Sequence, residues 1–254
     1  MDPVSSFLVG HVASKVLDKF GSSFRAQVIE RCSRSRAQAF FNQFCDEVSR
    51  QCDGAAPQEL EDTLTRIVED EACSEILFDA YRRVALSRSR ALGPRIIALL
   101  TAELVAERRG AGDLEDTIFT AAENLTDEEL LAFAMFVRTE QAKSASGADD
   151  AARGLRIKWC AEGFDSNWSD RDTISTGPLD LSECLGRWAT KLKSYGIIKD
   201  DVQERQFAYG QDPELHIDEP GTVREINWWI IVPAEYFKLV TLIYRAGGDA
   251  RITA

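Results

Sequence analysis

The chain has 254 residues, 44% hydrophobic and 28% charged, with a formal net charge of −12. That length and composition allow two domains with real cores and no need of disulfide or metal staples. The acid excess runs throughout: residues 1–153 carry 18 basic and 26 acidic side chains and the remainder 12 and 16, so neither half has the cationic footprint typical of nucleic-acid binders.

The first 140 residues carry helical periodicity. Leu8, Val12, Val16 and Phe20 make one stripe over 4–20. Residues 24–52 predict a long helix with Phe40, Phe41, Phe44, Cys45, Val48 and Cys52 inward, stopped by Asp53-Gly54. Pro57 sits near a helix start, where its missing N–H costs nothing. Leu60, Leu64, Ile67 and Val68 keep the period, and Ile76, Leu77, Tyr81, Val84 and Ala85 resume it after a break near Glu71. Gly93-Pro94 punctuates the chain before RIIALLTAELVAERRG, its most hydrophobic helix, which is expected to end at Arg108, Arg109 and Gly110. A short helix follows at 113–122. Thr126 and Glu129 form a capping box that opens the next helix.

QAKSASGADDAAR, 141–153, reads as a linker. Beyond it, LRIKWC at 155–160 suits strand or helix. Asp180 and Glu183 make a second capping pair, opening a helix that places Leu181, Cys184, Leu185, Trp188, Leu192 and Tyr195 on one face and stops at Gly196. A polar stretch with Pro213 and Pro220-Gly221 leads to VREINWWIIV, 223–232, rich in β-formers. Pro233 opens a last helix. The fold class is therefore mainly α: a helical domain over 1–143, a linker at 144–153 and a small α+β domain over 154–254.

SRSRA occurs at 33–37 and at 87–91. The surroundings, RCSRSRAQAFF and LSRSRALGPR, do not align, so the repeat reads as chance rather than duplication. The arginines around it stand out in an acidic chain. Arg31, Arg34 and Arg36, with Arg82, Arg83, Arg88 and Arg90, either form solvated faces bridging to acidic stretches such as 69–75 or make a composite anion or partner site. Guanidinium forks bind phosphate and carboxylate alike, so the pattern leaves the ligand open.

Tyr195-Gly-Ile-Ile198 closes a helix, and Ile231-Val-Pro-Ala-Glu235 carries a strand into a helix. The layout of helix, polar segment, strand and helix resembles the back half of a winged-helix domain. A helical region joined to such a module is similar in layout to small bacterial proteins of the abortive-infection alpha type, which are associated with phage immunity. The resemblance implies a winged-helix-like C-terminal domain and a defence setting, and it carries no catalytic residues. Arg187 and Lys191, four apart on the helix, are the candidate phosphate contacts. The candidate wing, 199–230, sets Lys199, Arg205 and Arg224 against eight acids, a sign that repels a polyanion. Trp228 and Trp229 point to opposite faces of a strand. One enters the core and the other needs cover, from the chain itself or at an interface.

GxxxxGK[ST], HExxH, GxSxG and GxGxxG are all absent, and His11 and His216 are the only histidines. Cys32, Cys45, Cys52, Cys73, Cys160 and Cys184 show no CxxC spacing and read as buried free thiols in a reducing cytoplasm. Paired carboxylates such as Asp200-Asp201, Asp149-Asp150 and Asp218-Glu219 sit in loop-like stretches. The expectation is a non-catalytic, cytoplasmic, bacterial protein-interaction or regulatory protein, without cofactor, metal or membrane span. Its partner is another protein or a second copy. A DNA-binding regulator and an enzyme with a carboxylate site are the alternatives.

Overall fold

The structure, a computed structural model, describes residues 34–52, 57–144, 154–165, 180–209 and 221–248. The stripe at 4–20, Arg31, Cys32, His11, His216, the Asp53-Gly54 stop and most of the linker lie outside these residues. The described chain is mainly helical with one three-stranded antiparallel sheet. Six helices come first: α1 (Arg34–Gln51), α2 (Pro57–Glu69), α3 (Glu71–Leu86), α4 (Leu92–Glu107), α5 (Asp113–Asn124) and α6 (Asp127–Ser144). Then follow β1 (Leu155–Asp165), α7 (Leu181–Leu185), α8 (Arg187–Ser194), β2 (Lys199–Tyr209), β3 (Gly221–Val232), a 3-10 turn (Ala234–Tyr236) and α9 (Phe237–Gly247).

Chain contacts divide the molecule into two compact units. One takes the described residues up to Met135 together with those from Lys238 onward; the other takes the described residues of Phe136–Phe237. The last helix thus packs with the N-terminal helices, whereas the sequence grouped it with the sheet in 154–254. Sequence adjacency suggested that grouping; long-range packing and ion pairs decide otherwise.

The helical unit is built around α4. Every residue from Ile96 to Ala102 and also Leu92, Gly93, Pro94, Leu104 and Val105 is buried, because α1, α3 and α5 all pack on this helix. α1 contributes Phe40, Phe41, Phe44, Cys45 and Val48, as its periodicity predicts. Phe41 lies 5.6 Å from the Tyr81 ring of α3. Burial pushes the Cys45 thiol up to about 12, with the charge of Asp46 adding to it. Cys73 is buried too. Cys184 departs from the buried-thiol expectation and is exposed, on a helix too short to cover it.

A helix buried on all sides must still satisfy its ends. The N-terminus of α4 has no side-chain cap of its own. Asp127, from the first turn of α6, supplies one: its Oδ1 accepts from the backbone N–H of Leu92 at 2.8 Å and Ala91 at 3.4 Å, and its Oδ2 from Arg90 N–H at 3.2 Å. The Ser89 hydroxyl also donates to Asp127, while its oxygen accepts from Gly93 N–H at 2.6 Å. Ser87 and Ser89 are buried, and Arg88 and Arg90 are exposed. The second SRSRA is thus an irregular connector between α3 and α4, not a helix face, whereas Arg34–Ala37 of the first copy is helical. Identical letters take different backbones because one copy faces Asp127 and the other forms the first turn of an aromatic helix.

At the far end, Arg108 ends α4 in the left-handed region (φ 50°, ψ 42°), and Arg109 N–H bonds Leu104 O at 3.2 Å. The sequence expects a glycine in that role, but Gly110 falls two residues too late. Other boundaries fall as predicted: α2 begins on Pro57, Asp70 caps α3 through Cys73 N–H at 2.9 Å, and Thr126 and Glu129 exchange capping bonds at 3.2 and 2.9 Å.

Burial alone would raise the Asp127 pKa, but the Ser89 hydroxyl and the three backbone N–H groups outweigh it and the carboxyl is held below its usual value. A lowered folded-state pKa gives stability that is present above the unfolded value, about 3.9, and is lost as pH falls through the folded one. Asp127→Ala should therefore lower unfolding free energy by about 2–3 kcal/mol near neutral pH. Urea titrations from pH 7 to 3 should show the difference shrinking with acid; an equal deficit at every pH would contradict this account.

Candidate functional site: a cationic helix beside a three-stranded sheet

The sheet runs β1-β3-β2, antiparallel throughout, with β3 in the centre. The β-branched and aromatic residues of VREINWWIIV make β3 a strand on their own account. β2 reads as polar loop in the sequence. It is a strand because it pairs along β3 from Lys199↔Ile231 to Tyr209↔Gly221. Acids at an outer strand discourage further pairing. β1 resolves the strand-or-helix ambiguity of 155–160 as strand, pairing from Leu155↔Val232 to Asp165↔Val223 with a register shift between Lys158 and Cys160. Gly154, at φ 98°, leads into it: a Cβ there would stand 2.4 Å from Val232 O.

The predicted single helix over 181–195 is split. Asp180 Oδ1 caps α7 through Ser182 N–H at 2.7 Å and Glu183 N–H at 3.4 Å. Gly186 then takes φ 99° and restarts the helix as α8. Trp188, Ala189 and Leu192 face inward, and the Trp188 ring lies 5.5 Å from that of Phe136. Arg187, Thr190, Lys193 and Ser194 are exposed and Lys191 is half-buried. Gly196, at φ 78°, turns the chain into β2.

Two aspartates then fix the electrostatics. Asp200 Oδ2 lies 2.7 Å from Lys193 Nζ. Asp201 Oδ2 lies 3.5 Å from Arg156 Nη2 and accepts from the Gln203 amide at 3.0 Å. The solvated-loop reading of Asp200-Asp201 is thereby corrected: they are successive strand residues pointing to opposite faces, each with a cation. The Arg156 guanidinium also sits 4.3 Å from the centroid of the Trp229 ring. Trp228 is buried and Trp229 half-buried, the division that strand alternation predicts. Trp229 Nε1 is buried without a hydrogen-bond partner. The sequence points to Trp229. It gives no sign of Arg156 as its cover, because the contact crosses 73 positions and depends on the strand register.

The arginine set fares unevenly. Arg83 is occupied, 2.7 Å from Asp116 Oδ1 and 5.0 Å from the centre of the Phe119 ring. Arg82 has only a 4.0 Å approach to Asp79. Arg88 and Arg90 are held by their backbones, to Glu123 O and Asp127, with exposed side chains. Arg34 begins α1, and Arg36 is half-buried with Nε lacking a hydrogen-bond partner. Among the described residues no group of three or more His, Cys, Asp or Glu side chains could hold a metal ion, and no helix is long and apolar enough to cross a membrane.

Family models, curated proteins and solved structures offer no match to this chain. Arg156→Ala should uncover the Trp229 indole and cost the sheet about 0.5–1 kcal/mol. The Trp229 emission, isolated by subtracting the Trp229→Phe spectrum, should shift to the red and become more open to iodide quenching. No change in quenching would mean that Arg156 does not cover the ring.

Proposed function

We propose that the chain is a non-catalytic protein-interaction protein whose sheet unit contacts another polypeptide. The observation that carries the reading is the Lys193–Asp200 pair at 2.7 Å. A cation on the exposed side of the candidate recognition helix is neutralised by the strand that follows, so a nucleic-acid backbone approaching there would meet a paired charge and an acidic strand. That pairing removes one of the cations whose counterion release would drive duplex binding. Trp229, amphipathic, half-buried and capped by a guanidinium that also reaches a carboxylate, is of the residue type enriched at protein contacts.

A helix followed by two antiparallel strands supports a winged-helix-like reading of the unit, with α8 as the counterpart of the recognition helix and β2–β3 as the wing. The layout resemblance to abortive-infection alpha-type proteins supports a bacterial, cytoplasmic protein acting in phage defence. The DNA-binding alternative rests on Arg187, which is exposed and without an ion pair among the described residues, with Lys191 one turn on. An acid–base enzyme has less support. The carboxyl groups that depart from their ordinary pKa here, Asp70, Glu115 and Asp127, all move down, the direction opposite to that of a general acid.

The two binding readings separate in one titration. Duplex DNA is expected to bind weakly, with little difference between the wild type and Arg187→Glu. Tight binding that falls steeply with salt and vanishes in Arg187→Glu would establish the regulator instead. In cells, expression of the chain is expected to lower phage plating, and Arg156→Ala with Trp229→Ala to abolish that effect while the protein stays folded. Unchanged plating with and without the chain would remove the defence reading.

A further inference from the structure

The chain leaves the helical unit at Met135 and returns to it at Lys238. Only Pro233 and the turn Ala234–Tyr236 separate β3 from α9. α9 buries Leu239, Val240, Leu242, Ile243 and Ala246. Its two cations, Lys238 and Arg245, are seven residues apart, which on a helix means two turns along the same side.

These cations meet carboxylates from three other helices. Lys238 Nζ lies 3.0 Å from Glu103 Oε2 of α4 and 3.6 Å from Glu115 Oε1 of α5. Arg245 Nη2 lies 2.6 Å from Glu47 Oε1 of α1, and its Nη1 3.2 Å from Glu103 Oε1. Arg95 also donates to Ala246 O at 3.0 Å, at the end of α9. Glu47 is only 6% exposed and Glu115 7%. Glu115 keeps Arg109 at 2.9 Å and Gly112 N–H at 3.1 Å whatever α9 does. Glu47 does not: its Oε2 is buried without a hydrogen bond, and Arg50 at 3.5 Å, on the same helix, is the only other cation near it among the described residues.

Burying the apolar side of one eleven-residue helix and ordering its backbone and side chains are opposing terms of similar size. The apolar face alone therefore does not decide whether α9 stays docked. Ion pairs to nearly buried carboxylates do, because an unpaired charge in such a place is costly.

We propose that α9 is an electrostatic latch, a segment that undocks as one piece from α1, α4 and α5 before α4 itself opens, with Glu47, Glu103 and Glu115 holding Lys238 and Arg245. Release uncovers an apolar strip rimmed by three carboxylates, a surface suited to a basic amphipathic helix. The proposal does not depend on what the sheet unit binds.

Hydrogen exchange of the full-length protein, read by mass spectrometry, tests it. Amides of 237–247 are expected to exchange at least about 10-fold faster than those of 96–105, and about 10-fold faster again when NaCl rises from about 0.05 to 0.5 M, with 96–105 unmoved. The variant Lys238→Met with Arg245→Met keeps the apolar stems and removes the charges. In it, α9 should exchange about 100-fold faster than in the wild type, and its salt response should disappear. Joint exchange of 237–247 and 96–105 at every salt concentration would overturn the latch, as would a variant whose α9 protection and salt response match the wild type. Should the variant not fold, the wild-type salt series decides alone.

Discussion

The burial of α4 along most of its length, with only Arg95 and Glu103 half-buried before its exposed last two residues, is the constraint on which the helical unit depends. An isolated amphipathic helix can leave its terminal N–H and C=O groups in water; one enclosed from Leu92 to Val105 cannot do so at its start. The chain answers with a residue 35 positions away. Asp127 reaches from the first turn of α6 to Leu92, Ala91 and Arg90, so the position of α6 is tied to the N-terminus of α4. Gly93 follows from the same closeness, since a Cβ there would meet Ala122 O at 2.3 Å and the Ser89 Cβ at 2.7 Å. The carboxylate, the two inward serines and the glycine form one device, and only one backbone path through 87–93 satisfies them together.

Charge follows the same logic of compensation. With net charge −12, acids outnumber cations, and among the described residues several cations are used internally. Arg83 serves Asp116, Arg109 serves Glu107 and Glu115, Lys193 serves Asp200, Arg156 serves Asp201, and Lys238 and Arg245 serve Glu47, Glu103 and Glu115. Two of these acids, Glu47 and Glu115, are nearly buried, so their pairs do more than the screened contacts of an open surface. Glu115 shows the strength of the effect: its hydrogen bond from Arg109 outweighs burial and brings its pKa down to about 2.

The sequence made local features legible and long-range ones not. Apolar spacing located the inward face of α1, and Thr126 and Asp180 marked helix starts because a cap is a bond between neighbours. Strand alternation foretold the split between Trp228 and Trp229. What stayed hidden was set by partners far along the chain. Nothing in KDDVQERQFAY announces a strand; β3 makes it one. Nothing near Lys238 or Arg245 announces three glutamates on other helices. The left-handed turn at Arg108 was hidden for another reason, since glycine is the usual choice there and the chain tolerates arginine instead. The candidate site divides in the same way: Arg187 and Trp229 were legible as residues, while Arg156, Asp200 and Asp201 acquire roles only through register.

The use of cations bears on what the chain can recognise. A protein that grips polyanions gathers unpaired arginine and lysine on one surface. Here the arginines singled out around SRSRA and the lysines of α8 include several already spent on neighbouring acids, and the second SRSRA turns its serines inward to build a helix start. Arg88, Arg90 and Arg187 keep exposed side chains, and the backbones of Arg88 and Arg90 bond Glu123 O and Asp127. The same acid surplus that weakens attraction to phosphate strengthens attraction to basic polypeptide. The proposed preference of the sheet unit for polypeptide rests on that balance of charge, with Trp229 half-buried beneath Arg156 and Asp201 paired to the same guanidinium.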